Sequence, residues 1–414
     1  MGLQEKKIYI HINNPLMMKK EVLICLLVLF ILGCNIEENK IESNTNNINQ
    51  KFITNETKEL EPQIYTEKSS EFRLEIPTQT ERETLPECDG LSFTTFPVNI
   101  SEVREITPLG NLGPPGHTFP TDHPHLHVGE HDSGKLFDIY APADVYLTMT
   151  SWSSGMSQDP LDYTIYFALC KDVIGYYNHV KTVSNELQDI LDNVECERFS
   201  QGSGCTKVLN LNKFEEGRVM GTVGQKQGNF DFGLIDLRVN LSFVNPERYP
   251  ERSKHIQCPF DYYPTEMKNT FYNLINRYDK RCSGTMQDVP GTLKGNWFHE
   301  SAQKEKVVQW DVYLAFVEDY EFSNVQVVSV AGKFTDPSLY HFRPKNDGNI
   351  NRNFSQVTPG EIYCYQSEEV GKYQLGNQGK IVLKMIDQET LEIEHQSGNC
   401  VRNEVLSNPE VYRR

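Results

Sequence analysis

At 414 residues the chain exceeds what one ordinary core holds, so two globular domains are predicted beside any export segment. A hydrophobic fraction of 38% and an aromatic fraction of 11% exclude disorder of the whole chain and suit strand-rich cores, where aromatic and β-branched side chains fit the pleat. The formal charge of -17, without clustered Lys and Arg, excludes nucleic acid as a partner, because that binding draws on phosphate neutralisation; an acidic exterior serves solubility.

Met17-Met18-Lys19-Lys20 is a basic opening, Val22 to Leu32 an apolar run of about 11 residues, and Ile31-Leu32-Gly33-Cys34 a short site ending in Cys. The run is too short for the ~20-residue helix that spans a bilayer, which argues against an uncleaved anchor. Polar Met1 to Leu16 read as an upstream start that is not used. The segment resembles the lipobox of bacterial lipoproteins, although Leu32 is bulkier than the small residue usual there. That resemblance implies a signal peptide over 1–34, lipid on Cys34 and a membrane-anchored protein on the non-cytoplasmic face of the cell envelope. Asn35 after the lipid site fits outer-membrane sorting if the host has an outer membrane.

Residues 35–85 are rich in Asn, Glu, Thr, Lys and Ser without apolar period, and are predicted to be a disordered tether with a reach of roughly 40 Å. Over 86–244 the pattern is mostly strand, with short β-rich runs at Leu136 to Tyr140, Val145 to Met149, Tyr163 to Leu169 and Gly217 to Val223. One helix interrupts them: Ser184 is a good N-cap, and Leu187, Ile190, Leu191 and Val194 recur at helical spacing. A second unit, 245–414, opens with a helix from about Thr265 to Arg277 whose apolar face is Met267, Phe271, Leu274, Ile275 and Tyr278. Strands are predicted at Val307 to Phe316, Val325 to Val330, Glu361 to Tyr365, Ile381 to Ile386 and Thr390 to His395, the last two joined as a hairpin through Asp387-Gln388-Glu389. The fold class is therefore mainly β: a β-sheet domain followed by a small antiparallel barrel or sandwich, with one or two helices.

Eight of the ten cysteines lie beyond Cys34, an even number that favours disulfides in an oxidising compartment; they allow 105 pairings. Cys196 with Cys205, Cys258 with Cys282 and Cys364 with Cys400 are the expected pairs. No Cys-x-x-Cys occurs among them, which argues against a cysteine zinc site.

Chemistry concentrates in Gly116-His117-Thr118-Phe119-Pro120-Thr121-Asp122-His123-Pro124-His125-Leu126-His127. Imidazoles and a carboxylate so closely spaced suit zinc, yet the same stretch, stiffened by prolines, also reads as a solvated turn. Three further segments follow in order: Tyr140-Ala141-Pro142-Ala143-Asp144, Tyr177-Asn178-His179-Val180, and Glu216 to Gly224 leading into Gly228-Asn229-Phe230-Asp231-Phe232-Gly233. Together, over roughly 105–240, they resemble the lysostaphin and LytM type zinc endopeptidases (duplicated hybrid motif). Those enzymes carry Gly-x-x-His-x-Gly-x-Asp, Ala-Pro-x-Gly, Tyr-x-His-Leu and a glycine turn before His-x-His. The resemblance implies a metal held by His117, Asp122 or His123, and Asp231, with His179 stabilising charge on a scissile peptide; otherwise His179 merely hydrogen-bonds at a strand end. This sequence has Asn229-Phe230-Asp231 where the family has His-x-His, so an amide replaces a proton-transferring His, and Asn is no general base near neutral pH.

Two functions follow. One is a non-catalytic envelope module that binds peptidoglycan, a glycan or an envelope protein. The alternative is a zinc metalloendopeptidase that cleaves peptidoglycan crosslinks. In the second unit Trp297 and Phe298, after the turn-rich run from Gln287, serve either as a barrel plug or as a stacking platform for a ligand.

Overall fold

The computed structural model describes residues 76–130, 133–154, 162–198, 203–303, 310–373 and 379–414, so the signal segment, Cys34 and the tether up to residue 75 lie outside the described residues. The last ten residues assigned to the tether are ordered. Thr78 and Glu81 form a reciprocal capping box on the short helix Gln79–Arg82, and Leu85 is buried.

The first half lays down β1 (Glu105–Thr107), β2 (His125–His127), β3 (Leu136–Tyr140), β4 (Val145–Ser154), β5 (Asp162–Cys170) and β6 (Val173–Val180). After these come β7 (Thr182–Val183), β8 (Glu197–Arg198), β9 (Ser203–Phe214), β10 (Val219–Gly224), β11 (Asn229–Asp236) and β12 (Ile256–Gln257). A large antiparallel sheet runs β1-β2-β11-β6-β5-β4-β9-β8, with β12 also on β11, and a small one runs β3-β10-β7. They share one core: Phe137, Ile139, Met220 and Val223 from the small sheet meet Phe167, Tyr177, Phe230 and Phe232 from the large one. The predicted helix is Asn185–Asp192. Ser184 Oγ accepts from the Leu187 amide, and the apolar stripe buries Leu187 and Leu191.

The second predicted helix forms as Thr265–Leu274 but belongs to the first core. Its Phe271 stacks on Phe260 at 4.4 Å and meets Phe96 at 5.1 Å. Ile275 turns to extended backbone and bridges to Ile106, which ends the helix before Tyr278; that ring is 88% exposed and is no part of the apolar face. A boundary at 244/245 is thus too early, since β12, this helix and the Cys258–Cys282 bridge all complete the first core. Both cores lie in one compact unit. Cys196–Cys205 and Cys364–Cys400 also form as expected, and Cys88–Cys170 is the fourth bridge.

The second half gives β13 (Gly295–His299), β14 (Tyr313–Glu318), β15 (Gln326–Val330), β16 (Ser338–Phe342), β17 (Ile362–Tyr365), β18 (Lys380–Met385), β19 (Thr390–Gln396) and β20 (Glu410–Arg413). These pair antiparallel in the order β16-β15-β14-β13-β20-β19-β18-β17. The segment between β16 and β17 closes most of the remaining gap: Asn351 N donates to Cys364 O at 2.9 Å while Lys345 N donates to Asn351 O at 2.8 Å. Asn351 is fully buried at φ 51°, a left-handed conformation that Asn tolerates better than most residues. The result is a nearly closed barrel filled by Trp297, Phe316, Phe342, Phe354, Tyr365 and Tyr412. The strand expected over Val307 to Phe316 begins only at Tyr313, after a 3₁₀ turn at Trp310–Val312; residues 307–309 lie outside the described residues.

Trp297 and Phe298 do not make a platform. Successive side chains of a strand point to opposite faces, so Trp297 enters the barrel, 0% exposed, while Phe298 packs outside against Phe119, Tyr249 and Tyr313.

One buried carboxylate fixes the turn after β14. Asp319 Oδ1 accepts the amides of Glu321 at 2.8 Å and Phe322 at 2.7 Å, and Oδ2 accepts the Tyr373 hydroxyl at 2.9 Å beside His341 Nε2 at 3.5 Å. Burial pushes its pKa up, but His341, the two amides and Tyr373 together hold it below the ordinary value. A depressed carboxylate adds stability above its unfolded pKa and loses it as pH falls through the folded one. Asp319→Asn is expected to cost about 1–3 kcal/mol at pH 7. Urea midpoints should show that margin over the variant shrinking toward pH 3; a constant margin would assign it to packing.

Candidate metal centre

Strand β11 lies between β2 and β6, with Asp231 opposite His125 on one side and Asn178 on the other. Because β-strand side chains alternate, His123 and His125 approach from the same face of the segment entering β2. On β6 the register with β5 slips between Tyr163 and Ile165, and His179 adopts φ 62°. This irregularity brings His179 round to Asp231, as bulges commonly re-aim one side chain.

Asp231, 1% exposed, is the hub. Its Oδ1 lies 2.7 Å from His125 Nδ1, and its Oδ2 lies 3.1 Å from His123 Nε2 and 3.2 Å from His179 Nε2. Each partner has a second contact. His123 Nδ1 is 2.6 Å from Asp122 Oδ1, whose Oδ2 meets Arg252 at 2.9 Å. His179 Nδ1 is 3.0 Å from Asp162 Oδ2, and His125 Nε2 is 3.4 Å from the Asn111 amide. Tyr176 donates to Asp122 O at 3.3 Å. Its ring lies across Gly233, where a Cβ would come within 1.8 Å of Tyr176 Cζ, so only glycine permits that placement.

Charge follows from these contacts. Burial lowers the His123 pKa, but the Asp231 charge and the Asp122 hydrogen bond raise it on balance to about 9. His179 is likewise carried to about 10 against burial by Asp231 and Asp162. Burial raises Asp231 and Asp122, but the imidazoles around Asp231, and Arg252 with His123 beside Asp122, hold both below the ordinary carboxylate value. His117 moves the other way: burial, then the neighbouring His123 and His125, depress it.

One donor atom each from His123, His125 and Asp231 lies within 4.8 Å of the others, and His123 Nε2 is buried with only an ion-pair approach to Asp231 that misses hydrogen-bond geometry. A nitrogen so placed fits a metal. With Zn–N near 2.0–2.1 Å, two imidazoles on one tetrahedral ion have ring centres roughly 5 Å apart. His123 and His125 stand at 5.0 Å. His117, at 6.3 and 6.2 Å from those rings, sits just outside that distance.

The residues singled out in the sequence therefore divide. His123, His179 and Asp231 converge and His117 borders them, whereas Asp122 is turned away from the donor group into its contacts with Arg252 and His123. His125 was missed, although the His-x-His alternation at 123 and 125 carries the signal, since period two puts both rings on one face. Asn229 pairs with His127 in the ladder and donates to Asp231 Oδ1 at 3.4 Å.

No family model matches the sequence, and no curated protein matches it. Among solved structures, the chain is similar to Helicobacter pylori Csd3 in its hexagonal crystal, at 13% identity and TM-score 0.24, over 44% of this chain and 38% of that one. The orthorhombic Csd3 crystal gives 13% identity and TM-score 0.25, over 44% and 39%. The SpoIIQ-SpoIIIAH pore forming complex gives 11% identity and TM-score 0.24, over 43% and 96%. The chain thus spans under two fifths of the Csd3 chains.

Proposed function

We propose that this protein is an exported, lipid-anchored envelope lipoprotein whose first β core is a non-catalytic binding module organised around one buried divalent cation, zinc by its donors. The carrying observation is the convergence of the donor atoms of His123, His125 and Asp231, with the buried His123 Nε2 facing Asp231 without forming a hydrogen bond to it. Bound zinc would neutralise the Asp231 carboxylate and fix the segment entering β2 to β11. His117, its pKa lowered by burial and the neighbouring imidazoles, borders the three donors and would complete the closed four-ligand set of a structural site by moving toward them. Closure fits the burial, since His123, His125 and Asp231 are each no more than 9% exposed. Anchoring rests on the segment ending at Cys34, and the ligand class is a cell-wall or other envelope component. Protein purified without added metal should carry one zinc per chain and sediment with purified peptidoglycan sacculi without releasing soluble fragments. A metal-free chain, or one that stays in the supernatant, counts against the reading.

One observation favours a hydrolytic alternative: His179, with 28% of its side chain exposed, is oriented by Asp162 at the rim of the centre, as an acid–base or oxyanion-stabilising His would be. If that reading holds, His179→Ala lowers fragment release by about 10²–10⁴-fold while zinc content stays constant. We expect no His179-dependent release.

A further inference from the structure

The segment 109–121 carries His117 and leads into Asp122 and His123, and its two sides do different things. Internally it is laced by backbone bonds: Gly110 N to Thr121 O at 3.0 Å, Thr121 N to Asn111 O at 3.1 Å, and Gly113 with His117 in both directions at 2.8 and 3.0 Å. One side presents His117 to His123 and His125. The other side presents Leu112 and Phe119, and these leave the first core altogether. Leu112 is buried with Ala315, Val317 and Val327 of the barrel, and Phe119 packs against the same cluster. The Phe119 ring stacks on Tyr313 at 4.5 Å and meets Phe298 edge-on at 5.1 Å.

The barrel strands are built for this second contact. On β14, Leu314 and Phe316 point into the barrel core, while Tyr313, Ala315 and Val317 point outward onto the loop. Strand β15 is buried along its whole length for the same reason, with Val328 and Val330 inside and Val327 outside. A strand covered on both faces reads as a continuous apolar run instead of an alternating one.

We infer that the C-terminal barrel is the positioning element of the metal centre: Phe119 and Leu112, seated on the outer face of β14 and β15, hold the His117 to His125 segment in register with Asp231. This rests on the cation reading above and deepens it by naming what regulates the site. Loss of the contact should loosen the loop and weaken metal binding, as loss of outer-shell support typically does by about 10–100-fold.

The test uses the full chain, zinc competition against a chromogenic chelator, and the visible spectrum of the Co(II)-loaded protein. Phe119→Ala is expected to weaken zinc binding by about 10–100-fold and to shift the Co(II) bands, with Phe119→Leu recovering most of both. Phe354→Leu, a change inside the barrel and away from the loop, should lower the unfolding midpoint and leave zinc affinity and the Co(II) spectrum as they are. The inference is overturned if Phe119→Ala binds zinc like the parent while His123→Ala does not, or if Phe354→Leu weakens zinc as much as Phe119→Ala. A parent chain that takes up no zinc overturns the cation reading itself, a result distinct from either.

Discussion

Asp231→Asn is expected to yield a folded protein that binds zinc more than about 100-fold more weakly than the parent, beyond the upper end of what loss of an outer partner costs. Asn keeps the shape of Asp231 and removes the charge shared by His123, His125 and His179. The same substitution has a metal-free signature with a defined sign. His123 and His179 have folded pKa values raised to about 9 and about 10, so their contribution is complete below the unfolded value near ~6.5 and is lost as pH rises through the folded ones. The Asp231 value is depressed, so its contribution is present above about pH 4 and is lost as pH falls through the folded value. The chelator-treated parent should therefore exceed Asp231→Asn most between about pH 4 and 6.5, by about 3–5 kcal/mol, and the margin should shrink toward pH 10. Urea titrations at pH 5.5 and pH 10 read this directly. Equal zinc affinity, or a margin that does not change with pH, would remove Asp231 from the centre of the account.

Local rules carried much of the architecture. The Ser184 cap with its 3.6-residue apolar stripe is complete within one segment, and so is the hairpin that pairs Met385 with Leu391, so neither needs distant information. The helix at Thr265 was equally legible as a helix but not as a member of the first core, because its partners Phe96 and Ile106 come from a distant part of the chain. Its end was misjudged for a related reason: Tyr278 continues the apolar spacing, but the pairing of Ile275 with Ile106 has already pulled the backbone straight. In the centre, the order of the segments pointed to Asp231, to His179 and to Asp122 or His123, and the structure brings His123, His179 and Asp231 together. What distinguishes Asp122 from His125 is Arg252, which arrives from far along the chain and takes up the Asp122 carboxylate. Nothing in the His-rich stretch announces that Arg.

Trp297→Ala is expected to be among the most destabilising single substitutions in the second core, costing about 3–5 kcal/mol in urea unfolding. The ring is wholly buried, and its Nε1 donates to Leu293 O at 2.9 Å. Over its face lies the Arg414 guanidinium, at 4.4 Å from the ring centre, which also donates to the carbonyls of Thr292 at 2.8 Å and Leu293 at 3.1 Å. Truncation would therefore open a cavity, leave the Leu293 carbonyl with one donor fewer and strip a buried cation of its aromatic cover. Trp297→Phe fills most of the space but loses the indole N–H, and should cost clearly less. If Trp297→Ala instead costs under about 1 kcal/mol, as an exposed position would, the ring is a surface feature and the platform reading returns. The buried plug requires that Trp297→Ala and Trp297→Phe separate, because only the first removes the volume around which β13, β14 and β20 close.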